Sequence, residues 1–428
     1  MSLPSLIEIL PISAPVAAEI TTPGSKSITN RALVLAALAS GRITLEGALW
    51  SEDTQVMVEC LKQLGFEIQL ADDPLESCNR QITVTGLGGV IPRSGSPERP
   101  LELFVGNAGT AARFLSALLC LGQGSYRLHG VARMHERPQA ALFKALRELG
   151  YRIDSENERL PAVIHGKGAT GGSCSVAIEE SSQFASALLL CAEHGGWNIR
   201  VTGEDAEESP YVTMTSQLLD RFPRRGGSFQ IEPDASSASY FWGAGWLLKQ
   251  TAATVGSKIT VHNWPKEFLQ VDTHFPVRIF ELPGRLSRRD QLGDSIMTAI
   301  VLAPFATGVS TFTDLGRLRL QECERVHALK TELSKCGAVI EERGDTLEVH
   351  PSPLHGAEIE TYHDHRMAMC FATLGLNVPG IRLKNPACVK KTFPNFFQKL
   401  AAATPHGLGV GILDKDGNRL ELNQLFAD

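Results

Sequence analysis

The chain has 428 residues, 43% hydrophobic and 21% charged, with 41 Lys and Arg against 47 Asp and Glu for a net charge of −6. That length allows two or more domains around a sizeable core, and that charge excludes the broad basic field that nucleic-acid binding needs, so any anion site must be local. No apolar run reaches the roughly 18 residues of a membrane span. The start MSLPSLIEIL shows no signal-peptide pattern, and nine scattered cysteines without a C-x-x-C pair point to reduced cytoplasmic thiols and no metal site.

In chain order, TTPGSKSITNRAL (21–33) comes first. Pro23-Gly24 reads as a turn, Ser25 or Ser27 as a cap, and ITNRALVLAALAS as a helix. A helix start exposes free N–H groups and a positive dipole end. Lys26 and Arg31 add full charges there, so an anion fits; a solvated helix start with stray basic residues fits as well. The Walker pattern is absent, because Ser25 precedes Lys26.

VECLKQLGFEIQL then shows a recurring unit: an amphipathic helix, a glycine and a short strand. LFKALRELGYRID and LKTELSKCGAVIEE repeat it, and MTSQLLDRFPRRGGSFQI does so less clearly. The recurrence predicts repeats of one mixed α/β unit, about one per 60–85 residues.

LFVGNAGTAARFLSALL (103–119) brackets Asn107 with Gly106 and Gly109 before a helix from about Thr110 that carries Arg113. Small residues let backbone approach a ligand, although a tight strand-to-helix turn reads the same way. ARMHERPQAAL places Arg133, His135 and Arg137 before Pro138, which is expected to open a helix. EESSQFASALLL sets Ser181, Ser182 and Gln183 at another helix start, for recognition or for plain capping. Asp234 with Ser236 and Ser237 reads as an N-cap cluster. LGDSIMTAIVLAPFATG puts Asp294 at the head of an apolar helix. In RLRLQECERVHALK, Glu322 and Arg325 stand three apart and are expected to share a helix face. ETYHDHRMAMCF crowds His363, Asp364, His365 and Arg366 before an apolar helix, without a third ligand at metal spacing. ACVKKTFPNFF offers Lys390 and Lys391, and GVGILDKDGNRLEL reads as a hairpin around Asp-Gly rather than a calcium loop.

Taken in order, PGSKSITNRAL, GNAGTAAR, RMHERP, SSQ, DASSASYF, TYHDHRMAMCF and KTFPNFF resemble the 5-enolpyruvylshikimate-3-phosphate synthase family, across residues 21 to 397. The resemblance implies a mixed α/β, two-lobed enolpyruvyl transferase fold with β-α-β-α-β-β repeats, three per lobe, and an active site in the inter-lobe cleft. It puts the chain start in the C-terminal lobe: residues 1–20 with 234–428, against 21–233 for the N-terminal lobe. It implies transfer of the carboxyvinyl group of phosphoenolpyruvate to the 5-hydroxyl of shikimate 3-phosphate, on the route to chorismate and aromatic amino acids. The partners expected are these two small molecules, with no cofactor, metal, nucleic acid or membrane, in a cytoplasmic monomer.

By the same resemblance, Lys26, Ser27, Arg31, Ser181, Ser182, Gln183, Asp294 and Gln321 bind shikimate 3-phosphate. Lys26, Asn107, Gly109, Arg137, Gln183, Arg325, Arg366 and Lys391 bind phosphoenolpyruvate, with Thr110 beside them. Asp294 is the base and Glu322 the proton donor; Lys26 shares the proton work and His365 supports it. Four positions depart from the family pattern, one of them Phe114, where many members have proline. Gln321 replaces a lysine that helps hold shikimate 3-phosphate, with Arg317 or Arg319 nearby to restore the charge. Arg317 replaces an asparagine, and Glu208 stands at a phosphate-binding serine. The alternatives are an enolpyruvyl transferase with another acceptor, whose model carries a reactive loop cysteine, and a non-catalytic relic. Cys120, the nearest cysteine, reads as core.

Overall fold

A computed structural model describes residues 3–179, 181–203, 210–265 and 269–427. Three helices, Glu52–Gln63, Ala140–Glu148 and Arg325–Lys335, run into Gly65, Gly150 and Gly337. These glycines have φ of 95°, 86° and 92°. A Cβ at such angles meets its own backbone, so glycine is what turns the chain there. Each turn feeds a strand: Ile68–Asp72, Arg152–Asp154 and Ile340–Arg343.

Each of those strands edges a four-stranded sheet. The orders are Gly227–Gln230, Ser40–Leu49, Asn79–Leu87, Ile68–Asp72; then Leu101–Phe104, Gln123–His129, Ala162–Lys167, Arg152–Asp154; then Arg285–Ser287, Ser310–Thr313, Thr346–Val349, Ile340–Arg343. A fourth sheet runs Glu358–Ile359, Ile381–Lys384, Leu6–Ile9, Ile412–Asp414. All four have one parallel pair followed by two antiparallel pairs. Two parallel pairs complete the set: Ser173–Ala177 with Asn198–Thr202, and Lys258–Val261 with Ala17–Ile20. This is the mixed α/β repeat the sequence predicts, three sheets to a unit.

The units are contact-defined: Gly24–Glu232, and Met1–Pro23 with Pro233–Asp428. In the first, the helices Lys26–Leu38, Gly109–Cys120 and Gln183–Gly195 bury Leu33, Phe114 and Leu188 completely. In the second, one cluster joins Ile7 and Ile9 near the chain start to Phe241, Ile300, Phe371 and Phe396. Strand Leu6–Ile9 alternates half-buried and buried residues, so the face carrying Ile7 and Ile9 points into this core. Burying a side chain of this size contributes about 1.5–3 kcal/mol.

Two local expectations change. Pro138 does not open a helix: Arg137 ends a short helix Ala132–Glu136, Gln139 is the next N-cap, and the helix begins at Ala140. Glu322 and Arg325 share no helix face, because Glu322 precedes the N-cap Glu324 of Arg325–Lys335. The tail does form a turn around Asp-Gly: Asp414 Oδ1 accepts from the Asp416 and Asn418 amides at 2.9 Å, and Leu413 bridges Arg419. No group of metal-ligand type occurs among the described residues. No described helix is long and apolar enough to cross a membrane.

Candidate active site

In the unit containing both chain ends, the ends of several elements bring four cations onto three carboxylates. Asp364 caps helix His365–Gly375, its Oδ1 accepting from the Arg366 amide at 2.8 Å. Its carboxylate also takes Arg325 Nε at 2.7 Å and Nη2 at 3.2 Å. Arg325 stands at the first position of its own helix and donates to Glu322 at 2.8 Å, to Asp294 at 3.5 Å and to the side-chain amide oxygen of Gln321. Glu322 is shared with Lys391, whose Nζ lies 3.1 Å away. Lys391 ends the helical turn Pro386–Lys391 and is itself largely buried.

Asp294 sits in a single turn, Gly293–Ser295, ahead of the apolar helix Ile296–Leu302. It does not cap that helix; its carboxylate is given to cations instead. Arg288 Nη2 is 2.7 Å from Oδ1, and Arg366 Nε is 3.3 Å from Oδ2. Burial by itself raises a carboxyl pKa, but Arg366, Arg288 and Arg325 outweigh it and hold Asp294 well below the usual carboxylate range. Arg325 and Arg366 lose by burial and gain more from their acids, so both stay protonated. Behind Asp294 lies Asp272, 5% exposed, its Oδ1 accepting from Ser236 Oγ at 2.5 Å and the Ser295 amide at 2.8 Å. Burial and the neighbouring Asp294 charge push Asp272 up to about 6. His365 is buried beside Asp364, its Nδ1 3.7 Å from Oδ1.

The unit Gly24–Glu232 carries a second set of charges at helix starts. Gly24 allows the approach: a Cβ there would stand 2.0 Å from the Gly47 carbonyl oxygen. Lys26 and Ser27 open helix Lys26–Leu38, and Lys26 Nζ lies 3.4 Å from Asp53. One turn on, Arg31 is 1% exposed. It donates to Thr215 Oγ1 at 2.8 Å, Ser186 Oγ at 2.9 Å, Ser27 O at 3.0 Å and Tyr211 O at 3.4 Å, and lies over the Phe114 ring. These partners are neutral among the described residues, and burial pushes the guanidinium down to about 10. Arg31 is thus a brace among three helices as well as a predicted ligand contact.

Gly109 opens helix Gly109–Cys120 between two guanidiniums; a Cβ would stand 2.4 Å from Arg113 Nη1 and 2.6 Å from Arg137 Nη2. Arg137 donates to the Asn107 carbonyl at 3.2 Å. Gln183 Nε2 donates to Thr110 Oγ1 at 3.3 Å, joining two of the helix starts. Ser182 is the N-cap residue of helix Gln183–Gly195 without a side-chain cap bond, and Ser181 Oγ accepts from the Gln183 amide at 3.2 Å.

The predicted residues therefore fall into two clusters. Asp294, Gln321, Glu322, Arg325, His365, Arg366 and Lys391 lie together, as do Asn107, Gly109, Thr110, Arg137 and Gln183; Lys26, Ser27 and Arg31 mark one further helix start of the same unit. Arg319 does not replace the charge missing at Gln321: it is held by Glu324 and Glu342 at 2.8 Å and Asp345 at 3.3 Å. Gln321 instead donates to Asp294 at 3.5 Å. Glu208 lies outside the described residues. Sequence reading missed Arg288, Asp272 and Asp53. The Arg-Arg pair in LSRRDQLGD, six residues before Asp294, was the available signal for Arg288.

The family model described as EPSP synthase (3-phosphoshikimate 1-carboxyvinyltransferase) matches residues 10–225 and 288–400. A 3-phosphoshikimate 1-carboxyvinyltransferase of Trichormus variabilis is 38% identical over 92% of this chain and 98% of its own. One of Psychromonas ingrahamii is 38% identical over 91% and 98%. A solved EPSP synthase of Acinetobacter baumannii superposes with a TM-score of 0.72, over 95% of this chain and 99% of that one at 22% identity, a likeness of fold.

Proposed function

Because this chain belongs to the EPSP synthase family, we propose that Asp294, Glu322 and Lys26 move the protons of its enolpyruvyl transfer. The reaction carries the carboxyvinyl group of phosphoenolpyruvate to the 5-hydroxyl of shikimate 3-phosphate and releases phosphate. A different acceptor is not favoured, since relatives matching over nine-tenths of the chain share one activity name.

The chemistry is addition, then elimination. The 5-hydroxyl oxygen bonds to C2 of the enol, losing its proton, while C3 gains one and becomes a methyl. The C2–O bond to phosphate then breaks as C3 gives a proton back. Each half needs a base and an acid. Asp294 takes the hydroxyl proton. Glu322 serves C3, with Lys26 sharing that work and His365 supporting it from the buried side.

The observation that carries this assignment is the arrangement on Arg325. One buried guanidinium holds both Asp294 and Glu322; Arg366 reaches the same oxygen of Asp294, and Lys391 the other oxygen of Glu322. Carboxylates so clamped are poor bases. Ligand carboxylate and phosphate groups compete for the same cations, so arrival of the substrate frees the two groups that must exchange protons. Arg137, Gln183, Gly109 and Asn107 hold phosphoenolpyruvate. Ser27, Arg31, Ser181, Ser182 and Gln321 hold shikimate 3-phosphate. Positioning two anions against these cations is itself a large part of the rate. The protein acts as a cytoplasmic monomer without a cofactor; nine free cysteines support a reducing compartment.

The test is phosphate release by purified protein with both substrates and with each omitted in turn. Release that requires both is expected. Release from phosphoenolpyruvate alone, or none with shikimate 3-phosphate present, would sink the reading.

A further inference from the structure

The two oxygens of Asp294 are held unequally. Oδ1 accepts from Arg288 at 2.7 Å and from Gln321 at 3.5 Å. Among the described residues Oδ2 has only long contacts, 3.3 Å to Arg366 and 3.5 Å to Arg325. Those last two arginines have ligand roles. Arg288 has none, and Asp294 is its one hydrogen-bond acceptor among the described residues. Both side chains are less than a tenth exposed, and Arg288 Nε is buried without a partner. Leaving a buried donor unmet is costly, so a purely structural role is poorly served by this conformation. Arg288 also begins a wide π-helical turn, Arg288–Leu292, which passes through Gly293 at φ 54° into Asp294. Such turns recur at functional sites.

We propose that Arg288 is a positioning residue for the transfer: it anchors Asp294 through Oδ1 and so presents Oδ2 to the acceptor hydroxyl. This rests on the reading of Asp294 as the base. When ligand anions draw Arg325 and Arg366 away, Oδ2 becomes free to accept a proton, while Oδ1 stays fixed. The charged groups facing Asp294 are then Arg288 from its own turn and Asp272 from Val271–His274; Arg325 and Arg366 face it from their helices before the ligand arrives. Arg288 is the cation that keeps the carboxylate ionised between turnovers. It also supplies, at the same carboxylate, a positive charge that position 321 lacks in this chain.

The experiment compares Arg288→Gln, Arg288→Lys and Asp294→Asn in kcat, in KM for each substrate, and in the pH profile of kcat/KM. Arg288→Gln is expected to lower kcat about 100-fold, the scale of a misplaced catalytic group, with both KM values little changed. The acid limb of kcat/KM should move to higher pH, because the carboxylate loses a neighbouring cation. Arg288→Lys should restore part of kcat and return the acid limb toward its original position. Lower thermal stability with kcat and the acid limb unmoved overturns the proposal, as does a raised KM with kcat kept, which marks a direct ligand contact. If Asp294→Asn stays active, the base assignment falls and the positioning role with it. If Asp294→Asn is inactive while Arg288→Gln behaves as the parent, only the positioning role falls.

Discussion

Arg325 and Asp364 form an ion pair with side chains 1% and 0% exposed, 2.7 Å apart at Nε and Oδ2. Neither charge has water to fall back on. Asp364→Ala should therefore leave a buried guanidinium short of its partner and remove an N-cap, costing about 3–5 kcal/mol. Urea unfolding of the variant would read this as a lower midpoint. A change below about 1 kcal/mol would mean that Glu322 and Asp294 can hold Arg325 without it.

Glu322→Gln separates chemistry from binding. The amide keeps the shape and an acceptor oxygen but cannot carry the proton. A fall in kcat of about 100- to 10,000-fold is expected, with phosphoenolpyruvate still bound in the presence of shikimate 3-phosphate. Activity within tenfold of the parent would exclude Glu322 as proton donor.

Gly109 has no room for a methyl group between Arg113 and Arg137. Gly109→Ala should displace Arg137, whose side chain is half-buried and the more able to move. The KM for phosphoenolpyruvate is expected to rise at least about tenfold, equivalent to about 1.4 kcal/mol, with that for shikimate 3-phosphate far less affected. Equal changes in both constants would point to general damage to the helix start.

The raised pKa of Asp272 makes stability depend on pH. Its folded value of about 6 lies above the ordinary 3.8, so between these values the folded state binds more protons than the unfolded one. Stability then falls as pH rises through this window, by up to about 3 kcal/mol from this group. Asp294 acts in the opposite sense: its lowered pKa adds stability that is present above the unfolded value and lost as pH falls below it. Asp272→Asn should therefore gain relative to the parent between pH 4 and pH 6 in urea titrations. A constant difference across that range would show that Asp272 does not titrate there.

All nine cysteines are free, and burial pushes Cys60, Cys336, Cys370 and Cys388 up to about 12. Cys120 is fully buried and its thiol is also raised. Iodoacetamide near neutral pH should modify the native protein slowly and the unfolded protein at nine positions. One fast-reacting thiol, protected by phosphoenolpyruvate, would instead indicate a cysteine at the reaction centre.

Much of the fold was legible because its punctuation is local. A glycine after an amphipathic run announces itself, and Gly65, Gly150 and Gly337 do what their spacing predicts. The dressed helix starts were legible for the same reason, as Lys26, Gly109, Gln183 and Arg366 stand within a residue or two of a helix boundary. What escaped depends on distance in sequence. Arg288 lies in a turn without periodicity, and its importance comes only from where Asp294 ends up. Asp272 looks like any polar residue until Ser236 and Ser295 close over it. Glu322 and Arg325 do meet, but through a bent approach to the helix and not along one face of it. Arg319 misled by proximity, because three nearby acids claim it.

The strand Leu6–Ile9 lies between Ile381–Lys384 and Ile412–Asp414. A ribosome therefore makes the middle of that sheet first and its flanks last. Gly24–Glu232 is contiguous and has all its parts once residue 232 has emerged. The other unit must keep Ile7 and Ile9 waiting through some 400 residues of synthesis. Its strand has no neighbour until residue 384 is made and lacks the second until residue 414, so the vulnerable interval for mispairing lasts to the end of translation.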